Sequence, residues 1–284
     1  MKLPDYKIPQ IPSAPRAIQK GVALKDIIND TSVAYLAKNL SLVDHDFDTD
    51  RFIHEVQITA DLGLMARAKN IAKAMFVACD RPYEQCAELL VQSLTPIQHS
   101  DEEFGLAGFF YLPHSFFIAN YGIDKQYNAG KDPLDVSLCA QYQLTQRFTA
   151  EFCIREFLIQ RQDETLAYLL DWTKDNSSHV RRLCSEGTRP KLPWGKHLKA
   201  FIKDPEPTLP ILDILKDDAS LYVRRSVANH LGDIAKSQLD IVLDICERWL
   251  VDASTERKWL IRHALRYPDK KGDMRAHKLR QRAK

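Results

Sequence analysis

The chain has 284 residues, 45% of them hydrophobic, with only 10 glycines and a formal net charge of +2, a composition that supports a large buried core and argues against an all-β design. The near balance hides an asymmetry: residues 1–170 hold 16 Lys+Arg against 22 Asp+Glu, whereas residues 171–284 hold 24 against 16. The second part is therefore the candidate polyanion-binding half. No apolar run reaches the length of a membrane helix, since even Phe109 to Ile118 is broken by Pro113 and His114.

In chain order, residues 1–20 carry prolines at 4, 9, 12 and 15 with no apolar stretch, and read as an extended arm, neither signal peptide nor anchor. Helical spacing of apolar residues follows through Val22 to Leu42, Phe52 to Leu62 and Leu64 to Ala78. Pro82, Pro96, Pro113 and Pro133 fall near the ends of patterned segments. The aromatic stretch Phe104 to Tyr121 reads as core, and Leu134 to Trp172 as three helices. Ser177 or Ser178 is expected to cap the next helix and Gly187 to close it in the left-handed conformation. Thr188 to Gly195, TRPKLPWG, is a rigid loop that presents Trp194. Ser220 caps a helix running to about Lys236, and Ser254 one ending near Arg266. The tail from Lys270 is basic and lacks a clear apolar face, so it reads as a frayed or disordered extension. The expected organisation is one elongated unit: arm 1–20, repeat domain 21–268, basic tail 269–284. The six scattered cysteines read as reduced core residues of a cytoplasmic protein.

An internal repeat organises the second half. D-N-S-S-H-V-R-R from Asp175 recurs as D-A-S-L-Y-V-R-R from Asp218, and more weakly as D-A-S-T-E-R-K-W from Asp252. Offsets of 43 and 34 residues are the period of a helical-repeat solenoid. Each copy sets basic side chains at the same point of a helix, so stacking converts doublets into a row suited to phosphates. Adjacent helical residues point about 100° apart, so one arginine of each doublet can pack between repeats and bond carbonyls.

The strings RFTAEFCIREFL from Arg147, HVRRLCSEGTRPKLPW from His179, YVRRSVANHLGDIAK from Tyr222 and WLIRHALR from Trp259 resemble the AlkC branch of the AlkC/AlkD-type DNA alkylation repair glycosylases. The likeness runs from about Leu134 to Arg266 and is looser before it. It implies an all-α, right-handed solenoid of HEAT-like repeats with a concave basic groove. It also implies removal of cationic N-alkylated bases, 3-methyladenine and 3-methylcytosine, from double-stranded DNA without extruding the base, by a monomer needing no cofactor. By the same resemblance the catalytic positions are Glu151, Glu186 and Asp233, with Trp194 as the aromatic platform. Two departures are Gly232, where asparagine is expected, and the absence of the immunoglobulin-like domain that many AlkC-type chains carry after the repeats.

Methylation makes the base a cationic leaving group and the sugar then becomes the cation, so a carboxylate stabilises the transition state without a metal. Several acids in a basic groove are more easily explained by function than by surface chance. The doublets Arg181–Arg182 and Arg224–Arg225, with Arg189, Lys236 and Arg262, would hold phosphates. Ordinary explanations stand beside these: Glu151 with Arg155, Arg182 with Glu186, and Asp233 with Lys236 are spaced for helix-surface ion pairs worth ~0.3 kcal/mol, and Trp194 could be packing. No metal-ligand set or phosphate-cradling glycine loop occurs. The alternatives left open are a noncatalytic DNA-structure binder on the same scaffold and a HEAT-type protein-interaction scaffold docking through its acidic half.

Overall fold

A computed structural model describes residues 3–97 and 105–284, and among them there are sixteen α-helices and no strand. The all-α expectation holds, but the chain divides into two compact units, 1–153 and 154–284.

In the first unit the helices are α1 (Asp30–Val43), α2 (Thr49–Glu55), α3 (Leu64–Cys79), α4 (Tyr83–Gln92), α5 (Leu112–Tyr121) and α6 (Leu134–Thr145). The segment expected as one helix from Phe52 to Leu62 stops at Glu55. The arm is extended, and it is docked: Tyr6 stacks on Tyr35 at 5.7 Å, and buried Asn39 binds both the backbone N–H and the carbonyl of Gln10. α3 packs on α2 and α5, and α4 on α6. The aromatic stretch is core, with Phe110, Tyr111 and Phe117 buried; Phe104 lies outside the described residues. Asp80, at φ 49°, ends α3 and folds the chain back so that Cys79 and Cys86 form a disulfide with 6.1 Å between Cα atoms. This corrects the all-reduced expectation: a tight turn, with no C-x-x-C signature, brings the two sulfurs together.

The second unit holds α7 (Ile154–Gln160), α8 (Gln162–Trp172), α9 (Ser178–Gly187), α10 (Lys199–Lys203), α11 (Leu209–Leu215), α12 (Leu221–Ile234), α13 (Leu239–Trp249), α14 (Thr255–Ala264), α15 (Arg266–Lys270) and α16 (Met274–Arg282). α9, α12 and α14 pack side by side as one layer, backed by α8, α11 and α13. Val180, Leu183, Val223, Val227, Leu231, Leu260 and Ile261 are fully buried, with helical spacing along the three layer helices. The basic tail is not frayed: α16 docks on α13 and α14 through Ala276 and Leu279. Its apolar face is only a few residues wide, which hid it among the charges.

The repeated motif is a joint between helical pairs. Asp175 accepts the N–H of Ser177, and Asp218 that of Ser220. Arg181 donates to the carbonyls of Asp175 and Asn176, as Arg224 does to those of Asp218 and Ala219. Arg181 also forms a two-point ion pair with Asp218, at 2.6 and 2.9 Å, and Arg257 grips the adjacent Asp217 from the third copy. Both ion pairs fasten the loop ahead of α12.

Candidate nucleic-acid interface and active site

The Thr188–Gly195 loop that follows α9 is held from beneath by Arg155 of α7, whose fully buried guanidinium donates to the carbonyls of Gly187, Pro190 and Lys196. Gly187 is helical, and not a left-handed cap as expected. Glycine is needed there for room, because a Cβ would lie 2.7 Å from the Ile154 methyl. The left-handed residue is Trp194, at φ 63° and 65% exposed. The indole is largely exposed.

Arg189, at the other end of this loop, is 8% exposed and lies between two buried acids, Glu186 of α9 at 5% and Asp233 of α12 at 2%. Its Nη1 donates to Glu186 Oε1 at 2.6 Å, while Nε and Nη2 reach Asp233 Oδ2, each at 2.8 Å. Arg182 adds a contact to Glu186 Oε1 at 3.3 Å, Ser226 donates to Glu186 Oε2 at 2.6 Å, and Lys236 donates to Asp233 Oδ1 at 2.8 Å. Burial opposes ionisation of Glu186, but the charges of Arg182 and Arg189 and the Ser226 hydroxyl outweigh it and hold this carboxyl below its usual range. His230, fully buried beneath them with Nδ1 2.9 Å from the Ser185 carbonyl, is lowered to about 4, first by burial. It is neutral at pH 7.

The structure thus brings Glu186, Asp233, Arg182, Arg189 and Lys236 into one network. Two of the ordinary ion pairs, Arg182 with Glu186 and Asp233 with Lys236, are real members of it. Glu151 belongs to the first unit, in the turn after α6, where Thr149 donates to its carboxylate at 2.8 Å.

Four of the expected phosphate ligands are engaged within the protein. Arg181 and Arg224 bond the motif loops, so one arginine of each doublet does pack between repeats. Arg189 is enclosed by carboxylates. Arg262 donates to the Ala283 carbonyl and seats α16. In each case the cation bonds acceptors of the protein itself. Arg225 is exposed with no ion pair among the described residues, and Lys236 keeps 44% of its side chain exposed. Arg182 also covers the Tyr222 ring, 5.1 Å from its centroid.

Sequence reasoning missed Ser226, whose signal was a serine among the buried residues Val223, Val227 and Ala228. It also missed a cluster where Asn229 Oδ1 lies 3.1 Å from both Arg266 Nη2 and His263 Nε2, with His263 stacked on Trp259. Its members come from three helices, α12, α14 and α15, and only the fold brings Asn229 to the other three. Among the described residues no group of three or more His, Cys, Asp or Glu could hold a metal, and no helix is long and apolar enough to cross a membrane.

Layered helical pairs, with buried acids clasped by guanidiniums and an indole presented by the same loop, place the chain in the HEAT-like class. A structure of the Pseudomonas fluorescens alkylpurine DNA glycosylase AlkC, bound to DNA containing an abasic site analog, is similar over 91% of this chain and 67% of that one, with 36% identity and a TM-score of 0.79. The chain belongs to the AlkC family of DNA glycosylases. The uncharacterized protein YhaZ of Bacillus subtilis is 34% identical over 256 residues, or 89% of this chain and 66% of YhaZ. The chain therefore spans about two thirds of the length of these relatives. AlkD2 from Streptococcus mutans is 22% identical with a TM-score of 0.46. No protein-family model matches the chain.

Proposed function

We propose that this protein is a DNA glycosylase of base excision repair, hydrolysing the bond between deoxyribose and a cationic N-alkylated base, such as 3-methyladenine or 3-methylcytosine, in duplex DNA. The observation that carries it is the pair Glu186 and Asp233, two buried carboxyl groups held among cations by Arg182, Arg189 and Lys236, next to a loop that holds Trp194 outward. A wall that attracts phosphates does not otherwise need buried acids, which repel them.

In the reaction the C1′–N bond breaks and its electron pair goes to the positively charged base, which leaves neutral. Positive charge moves to the sugar, where a carboxylate stabilises it. Water then adds at C1′, and its proton passes to the carboxylate. Asp233 is the better placed of the two acids to face a substrate. Its Oδ1 accepts a hydrogen bond from the half-exposed Lys236, whose ammonium can transfer to a DNA phosphate, whereas both Glu186 oxygens are held by buried donors. The indole of Trp194 would attract the developing charge by ~0.5–2 kcal/mol. Exposed Arg225 and released Lys236 would meet the backbone. The family resemblance adds Glu151 as a further acid. We take the protein to act as a monomer, in the cytoplasm where the DNA lies.

The test incubates the purified chain with methylated duplex DNA and measures released bases, alongside Asp233→Asn. Free 3-methyladenine from the wild type and none above background from the variant is the expected result. One observation favours a second reading, a DNA binder without turnover: both acids are already neutralised by internal cations. In that case the protein would bind duplex DNA with a steep salt dependence and release no base.

A further inference from the structure

We propose that Arg189 is a positioning residue of this reaction, a ruler that holds the carboxyl groups of Glu186 and Asp233 at a fixed spacing, and not a ligand of the DNA backbone. The inference rests on the glycosylase reading of the site. Two buried carboxylates that share one site compete for a proton unless a cation lies between them. Arg182 pairs with Glu186 and Lys236 pairs with Asp233, whereas Arg189 joins the two acids to each other.

The guanidinium suits this work because its donors are fixed in a plane. Nη1 points to Glu186 while Nε and Nη2 converge on a single oxygen of Asp233. A lysine offers one point of charge and could not set both distances. The mount is also rigid: Arg155 bonds the carbonyls on either side, at Gly187 and Pro190, so the ruler cannot drift with its loop. At 8% exposure, and with its cationic edge covered by the two acids, Arg189 has little surface to offer a phosphate.

The other groups facing the acids are Arg182 and Ser226, neutral His230 behind them, Lys236 at the open side, and Arg266, whose charge is felt by Arg189 and Asp233. Arg189 is bonded to both Glu186 and Asp233. Removing the bridge should therefore let one of the acids take up a proton at higher pH, and the loss should appear in the chemical step before it appears in binding.

The experiment compares wild type with Arg189→Lys and Arg189→Gln. Single-turnover release of 3-methyladenine from methylated duplex is followed from pH 4.5 to 8, with duplex affinity measured against salt. In Arg189→Lys the rate should fall about tenfold or more and the acid limb should move up by about one pH unit, with duplex affinity kept within about threefold. An unmoved rate and limb would overturn the proposal. So would an affinity loss with a salt slope reduced by about one and an unchanged limb, the behaviour of a phosphate contact. Should Arg189→Gln fail to fold, the lysine variant still decides. Should the wild type release no base, the glycosylase reading falls, and carboxyl titration of the ¹³C-labelled free protein by NMR tests the ruler alone: Glu186 moves upward in Arg189→Lys if it exists and stays put if it does not.

Discussion

In the first unit, His114, Ser115 and Gln141 lie buried with side-chain polar atoms that find no partner among the described residues, whereas the second unit gives Glu186, Asp233 and Asp218 at least two donors each. The difference follows from charge. A neutral polar group left unpaired costs about 1–3 kcal/mol and can be carried by a large apolar core, but an ionised carboxylate cannot be left so. Where the second unit buries charge, it has assembled the cations to hold it, and that assembly is what chemistry can use.

The sharpest break of this contrast is Asp233→Asn, which keeps the shape and removes the charge. The single-turnover rate of base release should fall on the order of 10²–10³-fold, with duplex affinity retained in a gel-shift assay. Arg155→Met comes next: three carbonyls lose their donor, and the second unit should be destabilised by about 3 kcal/mol, read from the urea midpoint. In the first unit the sign reverses, since His114→Leu removes an unpaired group and should stabilise by about 1 kcal/mol.

The same variant changes the acid response. Burial lowers His114 to about 3, below its unfolded value of 6.5, so the unfolded chain binds the extra proton and wild-type stability is lost as pH falls from 6.5 toward 3. The leucine variant should flatten that fall by up to one proton, about 1.4 kcal/mol per pH unit, in midpoints measured from pH 7 to 4. The smallest effect belongs to Arg225→Ala. Its stability should stay within about 0.5 kcal/mol of wild type, while the salt slope of duplex binding drops by about one.

The repeat was legible because the joint uses the same residues in its first two copies: the aspartate turns the chain, the serine begins the helix and the first arginine closes the turn. What could not be read was which of two adjacent arginines serves that joint, since both carry the same charge and only the helix phase separates them. Glu186 and Asp233 were singled out through the family strings, and their pairing with Arg182 and Lys236 through i, i+4 and i, i+3 spacing. The bridge by Arg189 was not, because it links residues 44 positions apart through a loop whose path no periodicity encodes. The Cys79–Cys86 pair escaped for the same reason: it depends on where a turn sends the next helix.

Trp194 sits at φ 63°, a backbone state that an L-residue with a bulky side chain occupies only against a steric penalty of roughly 1 kcal/mol or more. Gly195 allows the loop to lie this close to Arg155, where a Cβ would approach Leu192 to 2.9 Å. A Trp194→Gly chain would therefore relax its backbone at the very position where it loses the ring. Conformational ease alone would have chosen glycine, so the aromatic face is retained against the grain of the fold.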